Sequence, residues 1–137
     1  MKFIKITTKH KSSDIMSIIN KLSPNDIQSL KDLYKKFDYV EFDDVNGNVC
    51  MFANIHVNYI SDLLESYVGL SINFKYEDIT KDVLFSKLDV SIFLDEDLTK
   101  MVDNFITENL DTDTVLDKIN DLGYNSLLEI DKLVLNR

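Results

Sequence analysis

The stretch from Tyr39 to Ile55 restricts the fold more than any other part of the chain. Val40, Phe42 and Asp44 alternate with Glu41 and Asp43; Asn46-Gly47 follows; then Val49, Met51, Ala53 and Ile55 alternate with Cys50 and Phe52. A period of two sends successive side chains to opposite faces of a strand. Asn-Gly supplies the two positive-φ positions of a two-residue turn. The pattern predicts a β-hairpin with Phe42 opposite Met51 and Val40 opposite Ala53.

Flanking patterns fill in the order of elements. Lys2 to Thr7 alternates as a short strand, with Ile4 and Ile6 on one side and Phe3 and Lys5 on the other. Ile15, Ile18, Ile19 and Leu22 give a helical stripe near 13–22. Ser23-Pro24-Asn25-Asp26 marks a second helix start, with a capping hydroxyl, a proline in the first turn and an acid beside the positive end of the dipole. Ile27, Leu30, Leu33, Tyr34 and Phe37 then recur at helical spacing. After the hairpin, Ile60, Leu63, Leu64 and Tyr67 form a stripe that closes near Gly69, and Ile72, Phe74 and Tyr76 alternate as a fourth strand.

Strand, helix in two pieces, strand, strand, helix, strand admits few topologies, and the commonest is the ferredoxin-like βαββαβ sandwich, here over residues 1–77. In that arrangement the first and third strands lie at the centre. Ile4, Ile6, Val40, Phe42, Met51, Ile72 and Phe74 would face the helices, and Phe3, Lys5, Tyr39, Phe52 and Lys75 the other side.

Residues 78–137 read as an acidic helical extension packed on that sandwich. Thr80 or Asp78 caps a short helix through Val83, Leu84 and Leu88, and Val90 to Phe93 reads as a short strand or a turn. Leu98, Met101, Val102, Phe105 and Ile106 make a full helical stripe behind Asp95, Glu96 and Asp97. Val115, Leu116 and Ile119 form another helix ending at Gly123. Ser126-Leu127-Leu128-Glu129 reads as a capping box opening a last helix, with Ile130, Leu133 and Val134 inward.

Within this extension, Val115-Leu116-Asp117-Lys118-Ile119, Gly123-Tyr124, Ser126-Leu127, Lys132 and Leu135 stand at the spacing of a known element. The segment 113–136 resembles a short helical hairpin common at the C-termini of Bacteroidota proteins, among them cytoplasmic tails of rhomboid-like membrane proteins. The acidic pair usual before the lysine is reduced here to Glu129 and Asp131 around Ile130. The resemblance implies lineage and local structure, and it brings no catalytic residue.

Charge is divided along the chain. The whole protein of 137 residues carries a formal −9. Residues 1–37 hold eight Lys against three Asp, a net +5, and the remainder holds seven basic against 21 acidic side chains, a net −14. A field of that sign repels phosphate backbones and anionic lipid heads and attracts basic protein surfaces. Asp95, Glu96, Asp97, Asp103, Glu108, Asp111 and Asp113 are the candidate protein-binding residues.

Catalytic and metal signatures are missing from the sequence. His10 and His56 are isolated, and Cys50, the single cysteine, sits within an apolar alternation that favours a buried free thiol. A Cys50–His56 pair lies about 20 Å apart along an extended strand. A calcium loop starting at Asp111 would need Gly at its sixth position and an acid at its twelfth, where Leu116 and Leu122 stand. The glycines, 47, 69 and 123, make no phosphate-binding run. Phe3 and Phe52, side by side on central strands, would suit RNA stacking, but the basic-aromatic signature of such sheets is absent.

These observations point to a non-enzymatic, acidic protein–protein interaction module without a cofactor or metal. It reads as a small cytoplasmic accessory protein of bacterial or phage origin, with a basic protein surface as its partner. The rival readings are a nucleic-acid-mimicking inhibitor of a basic target and a nucleic-acid-binding domain using the basic N-terminal helices.

Overall fold

A computed structural model describes residues 1–85 and 95–136, and the chain divides into two compact units, Met1–Ile79 and Thr80–Arg137. In the first, β1 (Lys2–Lys11) leads to α1 (Ser12–Asn20), α2 (Pro24–Tyr34), β2 (Asp38–Asp43), β3 (Asn48–Ile55), α3 (Val57–Gly69) and β4 (Phe74–Asp78). The four strands form one sheet in the order β2-β3-β1-β4, with every neighbouring pair antiparallel.

β1 runs past the expected end at Thr7 because an irregularity in its pairing with β3, between Thr7 and Lys11, lets the strand continue. Thr8 Oγ1 donates to the Val49 carbonyl at 2.9 Å and accepts from His10 N–H at 3.2 Å. His10 Nε2 in turn accepts the backbone N–H of Asn73 at 2.8 Å, so the imidazole ties this bend to the approach of β4. At α2 the expected cap is present: Asp26 N–H donates to Ser23 Oγ at 3.2 Å ahead of Pro24. His56 caps α3, its Nδ1 accepting from Asn58 N–H at 3.2 Å.

The hairpin register is shifted by one residue from the expected pairing. Val40 lies opposite Phe52 and Phe42 opposite Cys50, and the pairing ends at Asp43–Val49. Three residues, 45–47, make the loop. Asp44 N–H donates to the Asn48 carbonyl, Gly47 N–H donates back to the Asp44 carbonyl, and Gly47 alone in the loop takes a positive φ, +81°. Asp44 Oδ1 accepts from the N–H groups of Asn46 at 2.8 Å and Asn48 at 3.1 Å, holding the wider loop closed. A one-residue slip moves a strand's side chains to the other face. Val40 and Phe42 therefore share the face of Phe3 and Phe52, not that of the helices: Phe42 stacks on Phe52 at 5.8 Å, and Phe3 lies 6.3 Å from Phe52. Tyr39 moves the opposite way, against Tyr34 at 4.9 Å.

On the helix-facing side, Ile4, Ile6, Met51, Ala53 and Ile55 pack with Leu63, Tyr67, Phe37 and Ile72 in a buried core. Removal of this apolar area from water is the main stabilising term of the unit.

The second unit contains α4 (Thr80–Leu84), α5 (Glu96–Asn109), α6 (Thr112–Leu122), a 3₁₀ turn at Tyr124–Ser126 and α7 (Glu129–Leu135). Leu88, expected in the first of these helices, and the ambiguous Val90–Phe93 stretch lie outside the described residues. α5 buries Leu98, Met101, Val102 and Phe105 as its stripe implies. Leu110, Val115 and Val134 form a core with α6 and α7, and Gly123 ends α6 at φ +82°.

Three expectations fail in the last two helices. Leu116 and Leu133 point outward, while Lys118 and Asp131 are buried. The Ser126–Glu129 box does not form, because the chain makes a 3₁₀ turn there and Ser126 Oγ donates back to the Gly123 carbonyl at 2.6 Å. α7 starts at Glu129, where Asp131 Oδ2 accepts the Leu128 N–H at 2.8 Å. Among the described residues no helix is long and apolar enough to cross a membrane.

Candidate functional site

The seven acidic candidates divide into caps and open side chains. Asp95 is the N-cap of α5, its Oδ1 accepting Leu98 N–H at 2.8 Å. Asp111 caps α6, accepting from Thr114 N–H at 2.8 Å and Thr114 Oγ1 at 2.7 Å, and the backbone bond, reinforced by the hydroxyl, holds its carboxyl below the ordinary aspartate range. Glu96, Asp97 and Asp113 occupy first turns, where the helix dipole favours a negative charge. Asp103 and Glu108 are exposed on α5. Lys100 stands between Glu96 and Asp103 on one face, so α5 presents a mixed stripe.

A more uniform acidic ridge lies on α6. Asp113, Asp117 and Asp121 are all exposed and stand at i, i+4 and i+8, about 6 Å apart along the axis. Like charges at that spacing destabilise a helix. Asp121 alone of the three has an ion pair among the described residues, with Lys81 Nζ at 2.9 Å. That pairing, with Asp117 and Asp82 adding smaller effects, raises the lysine's pKa. Asp117 and Asp121 were not among the sequence candidates, although their spacing of four was readable. Residues 80–137 together carry 13 acidic and six basic side chains, a net −7.

Beneath this surface Lys118 Nζ meets Asp131 Oδ2 at 2.7 Å, with both side chains almost wholly buried. The pair joins α6 to α7 inside the apolar core and presents nothing to a ligand.

The first unit holds a cleft of about 550 Å³ between α1, α2, α3 and the helix-facing side of the sheet at its β2–β3 end. Ile15 and Ile19 of α1, Ile27 and Leu30 of α2, Leu70 and Ile72 line it with Tyr34, Tyr39 and Tyr67. Neither α1 nor α2 has a fully buried residue, so their apolar stripes border a hollow where the spacing alone suggested close packing. Tyr34 Oη lies 2.9 Å from Tyr67 Oη, and Tyr67 Oη reaches Met51 Sδ at 3.6 Å. Burial is the largest cause that raises both phenols, Tyr67 to about 12 and Tyr34 further still. Glu41 lines the cleft with part of its side chain open to solvent, and the partial enclosure of its carboxyl against the cleft raises its pKa.

Lys31 and Lys35 also line this cleft, and neither has an ion pair among the described residues. Cys50 is buried and burial raises its thiol pKa, which disfavours the reactive thiolate. β3 runs extended from Cys50 to Ile55, keeping the thiol away from His56. Among the described residues no group of three or more His, Cys, Asp or Glu could hold a metal ion.

No protein-family model matches the chain, and no curated protein or solved structure proved similar to it.

Proposed function

We propose that this protein is a non-enzymatic interaction module whose acidic second unit docks on a basic surface of another protein. The observation that carries the reading is the α6 ridge. Asp113, Asp117 and Asp121 are solvent-exposed carboxylates on one face of α6, Asp113 in the first turn and Asp121 paired with Lys81, on a unit of net −7. Such a field steers diffusional encounter with a basic partner and raises the association rate. A cytoplasmic accessory protein of bacterial or phage origin is the setting this reading takes.

The strand order β2-β3-β1-β4, with all neighbours antiparallel and α1, α2 and α3 contributing to one core, supports a ferredoxin-like sandwich in the first unit. In the second, α6 and α7 joined by a short turn and a buried ion pair support the helical-hairpin likeness of residues 113–136.

The test is a capture experiment with the full chain at low and high salt, run beside the D113N/D117N/D121N variant. Proteins retained by the wild type at low salt should be lost from the variant and released by salt. Equal retention by both chains would overturn the reading. Duplex DNA as a competitor at physiological salt, where non-specific binding of DNA to a basic surface is weak, separates ordinary docking from nucleic-acid mimicry.

A further inference from the structure

The cleft of the first unit has the composition of a small-ligand site. Its volume of about 550 Å³ lies within the roughly 300–1,000 Å³ typical of such sites. The lining is aliphatic on the α1 and α2 sides, through Ile15, Ile19, Ile27 and Leu30, and aromatic through Tyr34, Tyr39 and the buried Tyr67. Polar groups are few and placed unevenly. Lys31 and Lys35, one helical turn apart and exposed, line the α2 side and are the cationic residues of the lining.

We propose that this cleft binds a long-chain carboxylate, with its aliphatic tail between α1, α2 and the sheet and its head group held by Lys31 and Lys35. Each methylene moved from water onto the isoleucine and leucine walls contributes favourably, and the two ammonium groups, without an ion pair among the described residues, supply charge-assisted hydrogen bonds to the carboxylate. Lined by stripes that have no fully buried residue, the cleft offers apolar surface that the protein itself leaves unfilled.

The tyrosine pair adds an acceptor-seeking hydroxyl. Two O–H donors serve one mutual hydrogen bond, and the other donor reaches only a thioether sulfur at 3.6 Å, a weak acceptor. Glu41 works against an anion. Its proximity to apolar walls favours the neutral carboxyl and lessens that repulsion.

The test is titration of the full chain with dodecanoate by calorimetry, beside dodecyltrimethylammonium, which has the same tail length and the opposite charge. The expected result is saturable binding of dodecanoate at one equivalent, with the cation at least about tenfold weaker. K31A/K35A should weaken dodecanoate about tenfold while the variant keeps its fold by circular dichroism. E41Q should bind more tightly than the wild type. Leu30→Trp, which fills the cleft, should abolish binding, and Ile19→Phe serves if that variant does not fold. No saturable binding, equal affinity for the cation, or full binding by a folded cleft-filled variant would each overturn the proposal.

Discussion

Lys118 Nζ and Asp131 Oδ2 stand 2.7 Å apart where two amphipathic helices turn toward each other, and water reaches almost none of either side chain. Asp131 also accepts the Leu128 N–H that opens α7, so one carboxylate both neutralises a buried ammonium and caps a helix. Removing one partner leaves the other charge buried without compensation. Lys118→Met or Asp131→Asn should each destabilise the second unit by about 3–5 kcal/mol, measured by urea denaturation. The double replacement K118M/D131L should recover much of that loss, since a buried pair adds little beyond a well-packed apolar substitute.

The three-residue hairpin loop makes a different mutational pattern from the two-residue turn that Asn46-Gly47 suggests. Gly47 needs its positive φ and has open space around it, so Gly47→Ala should cost about 1–2 kcal/mol by backbone conformation alone. Asp44→Ala removes the acceptor for two backbone N–H groups and should cost about 1 kcal/mol. Asn46→Ala should stay within about 0.5 kcal/mol, because Asn46 does not adopt a positive φ. A two-residue turn would instead make Asn46 as sensitive as Gly47.

Glu41 carries a pH signature. Its carboxyl pKa is raised in the folded state, so the folded chain binds the proton more tightly than the unfolded chain does. Stability is therefore unaffected by this group only well below the ordinary glutamate range, where both states are protonated, and falls as pH rises through the unfolded and then the folded pKa. Glu41→Gln should raise stability at neutral pH, and the gain should vanish in acid. Denaturant midpoints of the two chains across pH 3 to 8 provide the measurement.

Local chemistry made much of the first unit legible. Ser23-Pro24 marked the start of α2, the alternations marked the strands, and Ile4, Ile6 and Met51 were placed in the core they occupy. Asn46-Gly47 indicated a turn correctly but not its length, because Asp44 closes a wider loop, and that single residue moved Val40 and Phe42 to the other face. The α1 and α2 stripes gave no sign of a cleft, since helical spacing marks an apolar face and not what fills the space beside it. On α6, Lys118 is buried and Leu116 exposed against their hydrophobicity, because Asp131 lies thirteen residues away and only the folded hairpin brings the two together.

The acidic candidates were partly local in origin as well. Asp95 and Asp111 have their carboxylates committed to helix starts, which leaves the α6 ridge as the more continuous negative surface. The direct measurement is the association rate between the full chain and a partner it captures, followed across ionic strength for the wild type and for D113N/D117N/D121N. The wild-type rate should fall steeply with salt, with the variant slower at low salt, less salt-sensitive and nearly unchanged in dissociation. Identical salt dependence in the two proteins would contradict docking through the ridge.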